Sequence, residues 1–148
     1  HIILDAFSKN IDNLKFIGNW DNSSYGKDLK KKYSKFNNIE IIDPVYDLAK
    51  LFQYRRACSY YIHGHSVGGT NPSLVEIMHF GKPILAFDCI YNKETLKNYG
   101  KYFKTIEDLS SLIKKKDFYN DGHNIKKVAN EQYVWKSIKK QYSNVFKK

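Results

Sequence analysis

Two rhythms of apolar residues alternate along the chain. Ile2, Ile3, Ala6 and Phe7 fall at helical spacing within His1–Lys9, Asn10 is a natural stop, and Leu14–Gly18 (LKFIG) follows as a short strand. A Lys-rich helix predicted over Ser24–Phe36 turns Leu29, Tyr33 and Phe36 inward, and IEII at Ile39–Ile42 is a buried strand closed by Asp43-Pro44. Asp47 caps a third helix reaching Arg55 or Cys58, which leads into a strand at Tyr60–His63. After a glycine-rich turn comes a helix from Asn71 or Pro72 to Phe80, stopped by Gly81, and then a fourth strand, Pro83–Phe87 (PILAF). Beyond Asp88, helices are predicted over Asn92–Tyr102 and Ile106–Ile113. One long terminal helix, Asn124–Lys148, carries a stripe of Ile125, Val128, Trp135, Ile138, Tyr142 and Val145.

Strands that are apolar throughout, rather than on alternate residues, are buried on both faces, as in a parallel sheet. Parallel neighbours need right-handed crossover helices, so the expected fold is α/β, a Rossmann-like parallel sheet sandwiched by helices. No internal repeat, low-complexity linker or second boundary interrupts residues 1–148, which read as one domain.

Composition narrows the class. With 42% hydrophobic and 16% aromatic residues in 148, the chain has the material for a core and is not disordered despite a net charge of +10. No apolar run approaches the roughly 18 to 20 residues of a membrane span, and the chain opens in helix-like sequence rather than a secretion signal. A cytoplasmic location is expected, with Cys58 and Cys89, each inside an apolar run and without CxxC spacing, as buried reduced thiols. The ten lysines from Lys114 to Lys148, against Asp117, Asp121 and Glu131, hold +7 of the +10. The rest is only weakly basic, and Arg55 and Arg56 are the only arginines, so the bidentate forks that read base edges are scarce. No nucleic-acid partner is expected.

The segment Tyr61–Asp88 (YIHGHSVGGTNPSLVEIMHFGKPILAFD) carries candidate chemistry. Its strand runs into Gly68-Gly69, then Thr70, the cap residue Asn71 and Pro72, whose missing amide hydrogen suits a first helical turn. Free amides at the carboxyl end of a parallel strand favour a phosphate. Glu76, about one turn in, is no phosphate ligand but can accept hydrogen bonds from ribose hydroxyls. Together they point to a nucleotide or nucleotide sugar; the plain alternative is a glycine turn that only caps a helix.

GGTNPSLVEIMHFGKPILAFD resembles the nucleotide-sugar-binding segment of the GT-B glycosyltransferases often called group 1, which place two Glu residues eight apart before G-x-P-V/I. Glu76 stands where the second Glu belongs and Gly81-Lys82-Pro83-Ile84 matches the ending, whereas Gly68 replaces the first Glu. HGHSVGGTNPSL, GNWDNSSYG, IDPVYD and YNKET are more similar to a bacterial subgroup of rhamnosyltransferases of capsule and exopolysaccharide synthesis, over about Ile2–Phe103. The resemblance implies one half of a GT-B fold. It implies a retaining hexosyltransferase that uses a nucleoside diphosphate sugar, perforce as substrate, with no cofactor and no metal. It places Glu76 at the ribose, the amides of Gly69, Thr70 and Asn71 beside Gly68 at the diphosphate or sugar, and Val45 and Tyr46 against the base. The family's diphosphate-binding Arg and Lys, its first strand and its amino-terminal acceptor domain have no counterpart here. The chain therefore reads as a fragment expected to be inactive alone. The acceptor would be a glycan or lipid-linked glycan. The terminal stripe would pack back on the protein, leaving its lysines for peripheral contact with an anionic membrane at the inner face of the cell membrane.

Other candidates read more plainly. His63 and His65 lack the further ligands of a metal site, and a structural or substrate-positioning role suits them better. Ser66 lacks a G-x-S-x-G elbow. Lys93 and Glu94 fit a surface pair as well as donor contact; Tyr25 and Lys27 can reach phosphate from the GNW turn, but Lys27 also begins an ordinary solvated helix face, the plainer reading. The rival functional class is a non-enzymatic nucleotide- or anion-binding module with a basic surface helix.

Overall fold

A computed structural model describes residues 1–118 and 120–146. In chain order the elements are α1 (Ile2–Ser8), β1 (Leu14–Ile17), a 3-10 turn (Trp20–Asn22), α2 (Ser24–Tyr33), β2 (Ile39–Ile42), α3 (Leu48–Ala57) and β3 (Tyr61–His63). They continue with α4 (Pro72–Met78), β4 (Ile84–Phe87), α5 (Ile90–Leu96), β5 (Lys101–Phe103), α6 (Ile106–Lys115), α7 (Gly122–Gln132) and α8 (Trp135–Val145). Two compact units result, one of His1–Ala57 with Phe103–Lys116, the other of Cys58–Tyr102 with the chain from Asp117 onward. This is the α/β, Rossmann-like arrangement expected, its parallel strands lying in two small sheets flanked by helices.

In the first unit β1 and β2 pair in parallel, from Leu14 opposite Ile39 to Ile17 opposite Ile42. Leu4, Ala6 and Phe7 of α1 are buried, as are Leu109 and Ile113 of α6, and the two helices pack together. The Asn38 side-chain nitrogen lies 2.9, 2.9 and 3.1 Å from Phe7 O, Asn10 O and Asp12 O, its two hydrogens shared among the carbonyls of the chain leaving α1. Trp20 fixes the β1–α2 turn by donating Nε1–H to Ile42 O at 2.9 Å and meeting Phe16 edge-on at 5.0 Å. Asp47 caps α3 as expected, its Oδ1 accepting from the amides of Ala49 (2.8 Å) and Lys50 (3.2 Å).

In the second unit β4 lies between β3 and β5, with Tyr61 opposite Ile84 and His63 opposite Ala86 in the parallel β3–β4 pair. Ile84, Leu85 and Ala86 are buried, the burial on both faces that their unbroken apolar run demands. Leu74, Ile77 and Met78 of α4 join Ile84, Ala86, Leu96, Ile125, Val128 and Ala129 in one core cluster.

Four expectations are corrected. Residues 92–102 do not form one helix: Lys97 and Asn98 take left-handed φ values of 48° and 62°, which ends α5, and Lys101–Phe103 are strand β5. The terminal helix is two helices, because Val134 is extended (φ −109°, ψ 149°) while the Tyr133 hydroxyl reaches back to Thr95 O at 3.4 Å. Ser137 Oγ donates to Glu131 O at 2.6 Å across that break. As a result the apolar stripe divides: Ile125 and Val128 are in the core, but Trp135 is 84% exposed and Tyr142 67%, so the α8 half does not pack back. Lys147 and Lys148, counted in the predicted terminal helix, lie outside the described residues. Finally, Cys58 and Cys89, neither in a disulfide among the described residues, are only half-buried rather than fully buried. Among the described residues no helix is long and apolar enough to cross a membrane.

α4 ends at Met78 with His79 as its C-cap, short of the expected Phe80, and Gly81 beyond it takes φ 65° and makes a tight contact within the second unit. A Cβ on Gly122, at the start of α7, would stand 2.1 Å from Gly81 O. Gly122→Ala is therefore expected to destabilise the chain by about 1–3 kcal/mol through overpacking against backbone that cannot give way, as read by urea denaturation.

Candidate functional site

The loop between β3 and α4 combines a rigid frame with an open surface. Residues 64–70 are all exposed, although His63 before them and Leu74 after them are buried. Gly68 has φ 99°, a conformation that strains any side-chain-bearing residue. Gly69 does not, and a Cβ on Gly69 would meet no atom within 4 Å. Of the two reasons for a bare residue at Gly69, a special backbone conformation or the close approach of a phosphate, the first belongs to Gly68 instead, and only a close-approaching ligand would penalise a side chain at 69. Thr70 is exposed beside it, and Asn71 caps α4 as predicted, its side chain accepting from Ser73 N at 3.0 Å with Pro72 in the first turn. Because Leu74, Ile77 and Met78 occupy the inner face of α4, Glu76 is turned to the exposed one.

His65 is held from two sides. Its ring stacks on that of His63 with centroids 4.7 Å apart and planes 24° apart. Its carbonyl accepts from Asn92 Nδ2 at 2.9 Å, and the same Nδ2 donates to Phe87 O at 2.9 Å. Asn92 is 3% exposed. It went unassigned in the sequence although one signal marks it: Asn92, Thr95 and Leu96 share a helix face at spacings of three and four, and a polar residue on such an inward face needs a buried partner. Lys93 pairs instead with Asp88 at 2.5 Å and lies 5.4 Å over the Tyr102 ring, while Glu94 pairs with Lys97 at 3.3 Å, so Lys93 and Glu94 are not each other's partners. Burial pushes the Tyr102 phenol up to about 12.

Six of the predicted site residues, His65, Gly68, Gly69, Thr70, Asn71 and Glu76, thus lie on one loop and helix of the second unit. Val45 and Tyr46 belong to the first unit, on the loop after β2. Tyr46 is 86% exposed there, in an open depression of about 530 Å³ that Asp43, Asp47, Lys50 and Tyr54 also line. Among the described residues, no three His, Cys, Asp or Glu side chains gather as a metal-binding group.

No protein-family model and no curated protein matches the sequence. The fold is nevertheless shared with solved glycosyltransferases. HepE of Anabaena, in complex with UDP and glucose, superposes with a TM-score of 0.76 at 18% identity, over 99% of this chain and 44% of HepE. The complex of the same protein with UDP-glucose gives 0.74 at 16% identity. A glycosyltransferase of Rickettsia africae gives 0.73 at 14%, over 99% of this chain and 43% of that one. The pneumococcal O-GlcNAc transferase GtfA, in complex with UDP and GlcNAc, gives 0.70 at 14%, over 97% of this chain and 31% of GtfA. The chain therefore has the fold of one Rossmann-like half of a GT-B protein and spans less than half the length of these structures.

His63 yields a test of the frame. It is 1% exposed, and among the described residues neither ring nitrogen has a hydrogen-bond partner. Burial, reinforced by the neighbouring His65, pushes its pKa down from 6.5 to about 4. The folded state thus holds the neutral ring, and the unfolded state binds the extra proton between those values. The contribution is complete above pH 6.5 and is lost as pH falls toward 4, by up to about 3 kcal/mol. His63→Phe should remove that part of the acid loss, so that the stability difference between variant and wild type changes between pH 7 and pH 4. Parallel stability curves would refute it.

Proposed function

We propose that this chain is the donor-binding half of a glycosyltransferase that moves a sugar from a nucleoside diphosphate carrier to a glycan. The observation that carries the reading is the exposed 64–70 loop, with left-handed Gly68 and the Asn71–Pro72 helix start, in a fold shared over nearly the whole chain with HepE bound to UDP-glucose. In this reading the amides of Gly69, Thr70 and Asn71 donate to the diphosphate, Glu76 accepts from the ribose hydroxyls, and His65 positions the sugar-phosphate. Such donors act on the leaving group: negative charge grows on the diphosphate as the glycosidic bond breaks, and preoriented amides stabilise that charge more than they stabilise the ground state. Val45 and Tyr46 are proposed to contact the base.

The finer assignments rest on sequence resemblance: a retaining hexosyl transfer without metal or cofactor, rhamnose as the sugar, and an acceptor that is a bacterial glycan or its lipid-linked precursor. We place the acceptor site outside these residues, since the chain spans 44% of HepE.

The test is calorimetric titration of the full-length protein with UDP-glucose, UDP-N-acetylglucosamine and a nucleoside diphosphate rhamnose. Glu76→Gln is expected to weaken binding of the preferred donor by about 1–3 kcal/mol, the scale of a charge-assisted hydrogen bond. Gly69→Val is expected to abolish binding while leaving the fold intact, because a side chain there meets only the ligand. Absence of binding in the whole panel overturns the reading, and binding without transfer to any glycan supports the non-enzymatic module instead.

A peripheral membrane contact is proposed for α8. It carries Lys136, Lys139 and Lys140 with no acidic residue, and its Trp135 and Tyr142 are exposed. Lysines near an anionic leaflet each contribute about 1 kcal/mol, an attraction that salt screens. Sedimentation of the protein with anionic vesicles is expected to show binding at low salt that weakens as salt rises and is absent with neutral lipid; no binding at low salt overturns it.

A further inference from the structure

We infer that Asn92 is a positioning residue for the 64–70 loop, fixing in the free protein the backbone that receives the diphosphate; the inference rests on the donor-binding reading above. Both hydrogens of one side-chain NH₂ group are used, one on His65 O and one on Phe87 O, each at 2.9 Å. Since both partners are carbonyls, the amide orientation follows from the chemistry, as only the nitrogen end can donate to them. The two carbonyls differ in what holds them. Phe87 ends β4, whose Ile84, Leu85 and Ala86 are buried, so its carbonyl is a fixed point of the frame. His65 lies in a segment exposed from residue 64 to 70, where burial holds nothing in place.

Asn92 therefore transfers the rigidity of the central strand to the loop, three residues before Gly68 and four before Gly69. Its own place is secured from below: Thr95 and Leu96, on the same face of α5, are buried, and the Thr95 hydroxyl donates to Tyr91 O at 2.8 Å. A loop already held in its bound course loses less freedom when the ligand arrives, so affinity for donor depends on a residue that touches no donor atom. The His63–His65 ring stack restrains the His65 side chain but not its carbonyl, so it does not substitute for the amide.

The experiment uses the full-length protein and three substitutions. Asn92→Asp keeps the volume but removes both donors. Asn92→Ala removes the side chain, and Asn92→Ser keeps one hydroxyl donor on a shorter arm, which gives a folded comparison should the others unfold. Hydrogen exchange of the 64–70 amides is read without ligand, and binding and kinetics are read with UDP-glucose and a nucleoside diphosphate rhamnose as probes. Faster exchange confined to 64–70, a KM and Kd for donor raised about tenfold and a kcat within about threefold of wild type are the expected result. Unchanged loop exchange and donor affinity in a folded Asp, Ala or Ser variant overturn the inference. If wild type binds neither probe, the donor-binding reading is what fails, and the exchange data still decide whether Asn92 anchors the loop.

Discussion

The burial of one face of α4 is the constraint from which the candidate site follows. Leu74, Ile77 and Met78 are fully buried in a cluster with Ile84 and Ala86 of β4. A helix of seven residues has little stability of its own. Three buried aliphatic side chains contribute roughly 5–9 kcal/mol, against about 1 kcal/mol for the Asn71 cap, so packing rather than capping decides where the helix lies. Once that face is committed, the rest has no freedom. Glu76 must point outward, and the eight residues from Gly64 to Asn71 must bridge from the end of β3 to the first turn of α4 at Pro72 across the surface.

That bridge separates two kinds of requirement that look alike in sequence. Gly68 is needed by the protein itself, because at φ 99° the chain reverses in a way that a Cβ opposes. Gly69 is needed by nothing in the protein, since neither its conformation nor its surroundings exclude a side chain. A bare residue without internal cause in an exposed loop is what a ligand approaching the backbone would require. Asn92 and His63 are buried beside this surface, one with both amide hydrogens used and the other with ring nitrogens that have no hydrogen-bond partner among the described residues.

Much of this order was legible in the sequence, for a physical reason. PILAF is apolar without interruption and its Ile84, Leu85 and Ala86 are buried, whereas IEII is interrupted by the exposed Glu40 and is only partly buried; helices such as Ser24–Tyr33 carry Leu29 and Tyr33 on one stripe, with Tyr33 buried. The Asn-Pro pair after Gly68-Gly69 likewise announced the helix start. What escaped was decided by contacts rather than by period. The stripe from Ile125 to Val145 keeps helical spacing across Tyr133 and Val134, yet the chain leaves the helix there because Tyr133 turns back toward Thr95. Strand β5 was hidden because Lys97 and Asn98, ordinary helix-compatible residues, adopt left-handed conformations that only the completed fold reveals. Which of two adjacent glycines carries the positive φ is equally invisible, since glycine tolerates either.

The same separation bears on how a donor would be held. An exposed segment of seven residues, 64–70, would cost roughly 1–2 kcal/mol per residue to order if it were free in the absence of ligand, a total that the few hydrogen bonds to a diphosphate would hardly exceed. Binding through such a loop is therefore practical only if most of the ordering belongs to folding. The structure meets that condition at both ends and in between: His63 is buried in β3, Asn71 is locked by its cap onto Ser73, and the His65 carbonyl is tied to the central strand through Asn92. Residues 66–70, exposed throughout, are the part of the loop that a donor would meet in the proposed reading. The frame thus absorbs the entropy of the approaches on either side of the residues where contact with the donor is proposed.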